Sequence, residues 1–414
     1  MPQALDDLRV IEFTAGMAGP WIGRFMAHCG AEVIKVESKA RPDVTRQYVP
    51  PWAPERGIEP QLSPWLTDWN AGKRCVAIDL TKPDGAALAR RLVAIADVVV
   101  ENYTPGVLEK LGLGYAELAR VKPDLVFFST SGFGDSGPSR RWVSWGPNIE
   151  AAAGLATLSG FPERICTMTH YAYPDSVSGL HGLFAVLCAL DHRRRTGEGQ
   201  YVNLAQVEAT ISVIGDVMME ALAKGEAPAR SGNRSEDAAP HGCYPCRGDD
   251  RWCAIAVSTE AEWEAFCRAV GEPGWIRGPR FASLAARHAN EDELDRLVAT
   301  WTRERDPYEV MALLQEVGVP AGVVQTTEDR FRRDPQLAAR GFFETIPHFA
   351  KGEVVADGIP LGLGATPGRT SSAGAAVGQD NDYVFAELLR IPPDEIERLV
   401  AGGAIEPGPN DRSR

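Results

Sequence analysis

The chain opens on short apolar runs that alternate with segments of helical period. Residues 8–13, LRVIEF, are nearly all apolar, the pattern of a strand buried on both faces. A glycine-rich break, TAGMAGP, leads into WIGRFMAHCG, which fits one helix, and then into a second strand-like run, AEVIKVE. CVAIDL predicts a third strand, PDGAALARRLVAIA a helix opened by Pro-Asp, and DVVVENY a fourth strand. The helical GVLEKLG leads to DLVFFSTSGFG, an apolar strand running into a glycine loop. Strands alternating with helices at this spacing predict an α/β fold with a doubly wound, Rossmann-like parallel sheet. In such a sheet ligands gather at the carboxyl ends of the strands, here the loops at 14–20, 102–106 and 129–138.

The pattern breaks in the polar stretch 223–242, AKGEAPARSGNRSEDAAPHG, which reads as a linker after a first part spanning 1–222. Beyond it, alternation from Cys243 to Val257 predicts two strands around the turn RGDD, followed by helical EAEWEAFCRAVG and DPYEVMALLQEVG. Residues 243–325 therefore predict a smaller α+β domain. The remainder, 326–414, carries DPQLAARGFF, a strand-like GIPLGLG and a helical DYVFAELL.

Composition narrows the class. The 414 residues have room for two domains, and 44% apolar with 24% charged residues is the balance of a globular protein with ample core. A net charge of −13 argues against nucleic acid or an anionic membrane as the main partner. The apolar run from Leu180 to Leu190 is too short to span a bilayer and is broken by His181 and Gly182. MPQALDDLRV has neither a basic nor an apolar leader region, so a cytoplasmic address is expected. Eight cysteines are too sparse for a disulfide scaffold, and free thiols are expected. His241, Cys243, Cys246 and Cys253 invite a zinc reading. Structural zinc normally needs two separated pairs, however, and the alternation gives these cysteines ordinary strand positions, so no metal is expected.

Motifs for chemistry are few. Gly16 and Gly19 are spaced G-x-x-G and Glu37 ends the next strand, but a dinucleotide fingerprint needs three glycines. An oxidoreductase built on NAD or FAD stays as a rival, one that would copurify with cofactor absorbance. No P-loop, G-x-S-x-G elbow or H-E-x-x-H occurs. Asp175, in YPDSVSGLHG, stands just before a long apolar helical run. Local sequence alone favours a helix cap for this side chain, with a carboxylate nucleophile as the other reading.

Several segments together resemble a family. LRVIEFTAGMAGP…GAEVIKVE, GKRCVAIDL, ADVVVENYTPGVLEKLGLGY, SGFGDSGP, YPDSVSGLHG…RRRTGEGQYVNLAQVEA and DPQLAARGF occur in this order. They resemble the class III CoA-transferases, which include formyl-CoA and carnitine CoA-transferases and the related α-methylacyl-CoA racemases. The resemblance runs from Leu8 to about Ile405.

The resemblance implies that Asp175 is the nucleophile. It would attack a donor acyl-CoA to give an aspartyl anhydride and then an aspartyl-CoA thioester, and pass CoA to an acceptor carboxylic acid. It implies CoA contacts from Met17 and Ala18 near the thiol, from Leu80, Thr81, Asn102, Tyr103 and Thr104 around the adenosine and phosphates, and from Lys110 as a phosphate cation. Met17 stands where the family often has glutamine, and Ser38, beside Lys39, replaces the family's arginine. Arg46, Lys82, Arg140 and Arg141 are further candidate cations. Trp145, Asn148 and Glu150 of WGPNIEAAAGL would line the acyl site, although Asn148 would equally serve as a helix cap. Members using succinyl-CoA are the nearer likeness. The racemase branch needs a histidine near the position of Trp145, and none occurs between His28 and His170; His170 sits on a different motif. His181 reads as a packed or surface residue.

The resemblance further implies that 326–414 completes the large domain and that linkers near 206–240 and 325–345 thread an interlocked homodimer. No bound cofactor other than the CoA substrate is implied. A non-catalytic subunit of a heteromeric transferase is a further alternative, one that would be expected to lack the aspartate.

Overall fold

The computed structural model describes residues 2–48, 63–169, 171–272, 274–276 and 278–409. It divides into two units, one of Met1–Ala156, Met168–Gly225 and Gln336–Arg414, the other of Thr157–Thr167 and Glu226–Pro335. The expected linker at 223–242 is not a free connector. From Glu226 onward it belongs to the second unit, where Ala238 and Ala239 are buried and the Arg287 guanidinium donates to the Ala239 carbonyl at 2.9 Å. That unit also runs on to Pro335, ten residues past the expected Gln325, and takes in the excursion 157–167.

The first unit is built on a six-stranded sheet in the order β3-β2-β1-β4-β5-β6. The strands are β1 Arg9–Phe13, β2 Glu32–Glu37, β3 Arg74–Ala77, β4 Val98–Glu101, β5 Val126–Ser131 and β6 Gln200–Ala205. Every pairing is parallel, as the alternation of strands and helices predicts. Successive residues feed opposite cores. Ile11, Ile34, Val99 and Phe127 pack on one face with Leu88, Leu92 and Phe385. Val10, Val33, Val98 and Phe128 pack on the other with Ile22, Met26 and Val186. Burial on both faces is why these strands read as unbroken apolar runs. The chain leaves β1 toward β2 and β3, then returns to place β4 on the other side of β1, so the order reverses between β1 and β4.

Towards the carboxyl ends of β1 and β2 the second face changes from apolar to ionic. Glu12, Lys35 and Glu37 follow Val10 and Val33 on that face, all buried. Glu12 pairs with Lys73 at 2.9 Å, Lys35 with Asp43 at 2.8 Å and Glu37 with Arg46 at 2.6 Å. Burial pulls the Lys73 ammonium down to about 8, with Glu12 acting against it. A buried ion pair loses far more from removal of one partner than from removal of both. Lys73→Met should therefore cost ~3–5 kcal/mol in a urea melt, and adding Glu12→Gln should recover most of that.

Residues 352–357 and 343–348 form an antiparallel hairpin, β10 Phe343–His348 with β11 Gly352–Asp357, from Phe343↔Asp357 to His348↔Gly352. The strand-like GIPLGLG at 358–364 joins no ladder; its proline lacks an N–H and its glycines weaken a strand. In the second unit β7 His241–Pro245, β8 Trp252–Ala256 and β9 Ala321–Val323 make an antiparallel sheet. The first two are the hairpin expected around RGDD. Its cysteines are free, Cys243 exposed and Cys246 and Cys253 buried, and no group of metal-ligating residues occurs among the described residues. Among those residues no helix is long and apolar enough to cross a membrane.

Candidate active site

Asp175 lies in the first turn of the helix Tyr173–Thr196, not at its cap. The cap position is Ala172, whose carbonyl accepts the Asp175 N–H at 3.1 Å and the Ser176 N–H at 3.3 Å, and Pro174 sits beside it where a missing N–H costs nothing. The capping role open to Asp175 in the sequence is therefore not the one it takes. Its carboxylate instead lies toward the backbone N–H of Ala18, the first residue of the helix Ala18–His28, which favours its charged form. The two helix starts pack closely, a Cβ built on Gly179 lying 3.3 Å from the Ala18 carbonyl oxygen. Two helix N-termini thus converge on one carboxylate, each presenting N–H donors and the positive end of its dipole.

Those dipoles do not set the net balance alone. Burial pushes the Asp175 carboxyl up to about 6, with the Ala18 N–H acting against the rise. Desolvation outweighs the helix start in this balance. The carboxylate remains largely ionised at neutral pH, and a less solvated carboxylate is a better nucleophile than one fully hydrated.

Gly146 closes one side. A Cβ built on it would lie 2.6 Å from Asp175 Oδ2 and 3.2 Å from Ala172 Cβ, so only hydrogen fits. Gly146 begins the helix Gly146–Ala152, and this is where the WGPNIEAAAGL segment meets Asp175. Trp145, next to it, is exposed. Asn148 does not precede a helix starting at Ile149; it is the third residue of the helix Gly146–Ala152, where its Oδ1 reaches back to accept the N–H of the cap residue Trp145. Glu150 is 1% exposed and spends both oxygens on Thr169, at 2.9 Å from the backbone N–H and 3.2 Å from the hydroxyl. Instead of facing a substrate, Glu150 pins the approach to the 173–196 helix.

The opposite side is the loop 14–17, at the end of β1 where the strand order reverses. Asn102, at the end of β4, grips this loop from both sides: its Oδ1 accepts the Ala15 N–H at 2.9 Å and its Nδ2 donates to the Ala15 carbonyl at 2.8 Å. Asn102 is thus engaged in shaping the crevice wall. Gly16 takes the left-handed conformation, φ +74°, that the turn needs. Met17 and Ala18 are buried immediately behind it.

The other expected CoA contacts lie along the same edge of the sheet. Leu80 and Thr81 follow β3, Thr81 exposed and bonded to Asp79. Tyr103 donates its N–H to Glu101 at 2.9 Å, Thr104 is exposed, and Lys110 ends an exposed turn. Lys82, Arg140 and Arg141 are exposed. Arg46 is not available as a phosphate cation: it is buried, committed to Glu37 and to the Ala375 carbonyl at 2.8 Å. Ser38 and the Lys39 backbone are bonded to Glu406.

Sequence reasoning missed the groups that hold the loop, Lys35 and Asp43. The available signal was Asp-x-Thr in RPDVTR, since Asp43 caps the turn Val44–Arg46. It also missed the pair of Arg24 and Asp68, 2.7 Å apart, near Tyr171.

Among the described residues no second acid or base is hydrogen-bonded to Asp175. His181 Nδ1 is bonded within its own helix, to Val177 O at 2.8 Å. His28 is buried with neither ring nitrogen partnered and is pulled down to about 3, chiefly by burial. It sits ten residues along its helix from Ala18, ~15 Å away. His170 lies outside the described residues.

The chain has counterparts among known proteins. A family model described as CoA-transferase family III matches residues 5–381. The chain is 34% identical over 404 residues to the succinyl-CoA–D-citramalate CoA-transferase of Chloroflexus aurantiacus, covering 98% of each. It is 31% identical over 389 residues to the succinate–glutarate CoA-transferase of Agrobacterium fabrum, covering 94% of this chain and 96% of the relative. In structure it is similar to a CaiB/BaiF family protein from Brucella suis, with a TM-score of 0.86 at 32% identity, covering 94% of this chain and 100% of that one. The chain belongs to CoA-transferase family III, and it is a CoA-transferase.

Proposed function

We propose that the protein moves CoA from a donor acyl-CoA, with succinyl-CoA the first to test, to an acceptor carboxylic acid through covalent intermediates on Asp175. The observation that carries this reading is the Asp175 carboxylate held between two helix N-termini with Gly146 cleared away beside it. Asp175 attacks the thioester carbonyl, the C–S bond breaks, and CoA thiolate leaves an aspartyl anhydride. Thiolate then attacks the aspartyl carbonyl, releasing the donor acid and leaving an aspartyl-CoA thioester. The acceptor carboxylate repeats both steps in reverse. The anhydride and the thioester are each reactive enough to be consumed in the next step, which a serine ester would not be. The N–H donors that hold the carboxylate are also placed to steady the oxyanion of each addition. Succinyl-CoA is favoured as donor because both relatives above are named for succinyl-CoA or succinate.

In this reading CoA lies along the carboxyl edge of the sheet, on Met17, Ala18, Leu80, Thr81, Asn102, Tyr103, Thr104 and Lys110, and the acyl group lies beside Trp145. The protein works in the cytoplasm as an interlocked homodimer. Supporting the dimer, the 173–196 helix leaves Leu180, Phe184 and Leu187 exposed along one face, and the helix Gly215–Lys224 leaves Met218, Met219 and Leu222 exposed.

The test is an exchange assay with succinyl-CoA against a panel of dicarboxylic and aryl acids carrying ¹⁸O in the carboxylate. One labelled oxygen should pass from acceptor to Asp175 and, on the next turnover, into the released donor acid. Hydroxylamine added during turnover should mark Asp175 in a peptide map. The rate should rise with pH through an acid limb near 6, because the protonated carboxyl cannot attack. Turnover without oxygen transfer would sink the covalent route.

A further inference from the structure

We propose that Asp43 is a positioning residue for the nucleophile, fixing the loop 14–17 so that the Ala18 N–H stays on the Asp175 carboxylate. The inference rests on Asp175 being the nucleophile and adds the device that aims it.

Thr14, Ala15 and Gly16 are each held by a different side chain. Lys35 Nζ donates to the Thr14 carbonyl at 2.8 Å and to its hydroxyl at 3.2 Å. Asn102 brackets Ala15. Asp43 Oδ1 accepts the Gly16 N–H at 3.0 Å. Asp43 is itself fixed: Oδ1 also takes the Thr45 N–H and hydroxyl, each at 2.9 Å, its Oδ2 faces Lys35 Nζ at 2.8 Å, and its own N–H donates to Glu37 at 3.0 Å. Two residues after Gly16 comes the N–H that meets Asp175.

Stability alone does not account for this arrangement. The Lys35 and Asp43 side chains are 2% and 0% exposed, and a buried ion pair often does no better for stability than an apolar pair of the same volume. What an apolar pair cannot do is accept the Gly16 N–H. Burial acts to lower the Lys35 ammonium, and Asp43, Glu37 and Glu12 together outweigh it, so the lysine stays charged and keeps Thr14 in place.

The other titratable groups around the start of the 173–196 helix are already engaged or face away. Arg24 on the neighbouring helix is paired with Asp68, Glu150 with Thr169, and Glu208 on the helix Gln206–Ser212 is exposed. Tyr171 senses Arg24, Asp68 and Asp175 together. Among the described residues no side chain is hydrogen-bonded to the Asp175 carboxylate, and the groups that favour its charged form are the backbone N–H groups of Ala18 and of Asp175 itself. Loosening the loop therefore removes a donor that this carboxylate has no side chain to replace.

The measurement is the titration of Asp175 in the full-length, substrate-free protein, followed by ¹³C NMR on protein labelled at the aspartate carboxyls, with Asp175→Asn to assign the signal. Asp43→Ala should raise the Asp175 midpoint by about one unit and lower kcat at pH 6.5 by roughly ten-fold with KM for acyl-CoA changed by less than ~2-fold. Asp43→Asn keeps the Oδ1 acceptor and should return the midpoint most of the way. Where Asp43→Ala does not fold, the double variant Asp43→Leu with Lys35→Met fills the space without stranding a charge, and the same upward shift is expected. A folded Asp43→Ala or double variant with the wild-type midpoint overturns the proposal, as does Asp43→Asn titrating like Asp43→Ala. The titration needs no turnover, so a wild type that fails to trap acyl groups on Asp175 would sink the nucleophile reading while the loop is still judged by its own measurement.

Discussion

Asp175→Asn should lower kcat for CoA exchange by at least ~10⁴-fold while leaving a protein that folds and melts higher than wild type at pH 7. The amide is isosteric and keeps an oxygen for the Ala18 N–H, so the loop and both helix starts have no reason to move. What it lacks is an anionic oxygen able to form an anhydride, and among the described residues no second carboxylate approaches the site within bonding contact of Asp175. The two effects have opposite signs because the features that make the nucleophile also cost stability. Burial holds the folded-state carboxyl at about 6 against an ordinary 3.8. Between those values the folded protein binds more protons than the unfolded chain, so wild-type stability falls as pH rises through the window, and the full penalty is present above about 6. The asparagine has no proton to lose. Its advantage in melting midpoint should therefore be largest at pH 7 and vanish as pH falls toward 4. A variant that is inactive and also less stable at pH 7 would show that the carboxylate supports the fold, contrary to the strain argued here.

The sequence revealed most where one physical constraint acts alone. β1, β2, β4 and β5 are buried on both faces, and their runs stay mostly apolar in spite of Glu12 in β1 and Lys35 in β2, so the parallel sheet was evident. β6 was not read as a strand. It lies at the edge of the sheet, its QYVNLA is only half-buried, and nothing local separates it from the turn after the long helix. Asp175 was found as a candidate from its place before an apolar helix, but that place suggested a cap. The actual cap, Ala172, has no capping side chain, and the neighbouring N–H that favours the charged Asp175 carboxylate comes from Ala18, 157 positions earlier in the chain. Lys35 and Asp43 were missed for a similar reason. A lysine inside an apolar strand and an aspartate in a loop acquire meaning only when the fold brings them 2.8 Å apart. Glu150 illustrates the reverse error: an acid on the segment that lines the site was read as facing a ligand, yet the helix turns it inward onto Thr169.

Gly146→Ala should be the most damaging single methyl group that can be added to this site. The new Cβ would stand 2.6 Å from Asp175 Oδ2, well inside contact distance, and 3.3 Å from the Ala172 backbone, so it cannot be absorbed by moving the helix cap away. The carboxylate is the part able to yield, by rotating off the Ala18 N–H. Reacting groups held about 1 Å from their productive place lose roughly 10²-fold in rate, and a fall of that size in kcat is expected. The variant keeps a full complement of ionisable groups, which separates its effect from that of Asp175→Asn. Its Asp175 should titrate above the wild-type value, since the rotated carboxylate gives up a hydrogen bond to its charged form without regaining water. Acyl-CoA affinity should be almost unchanged, because the nucleotide is proposed to lie along the strand ends and not beside Gly146. Gly146→Ser tests the same clash with a group that can donate to the carboxylate. If the loss were due to helix disruption, alanine, the stronger helix former, would be the milder of the two. If the loss is due to displacement of Asp175, serine should retain more activity than alanine, because its hydroxyl offers the displaced carboxylate a new partner.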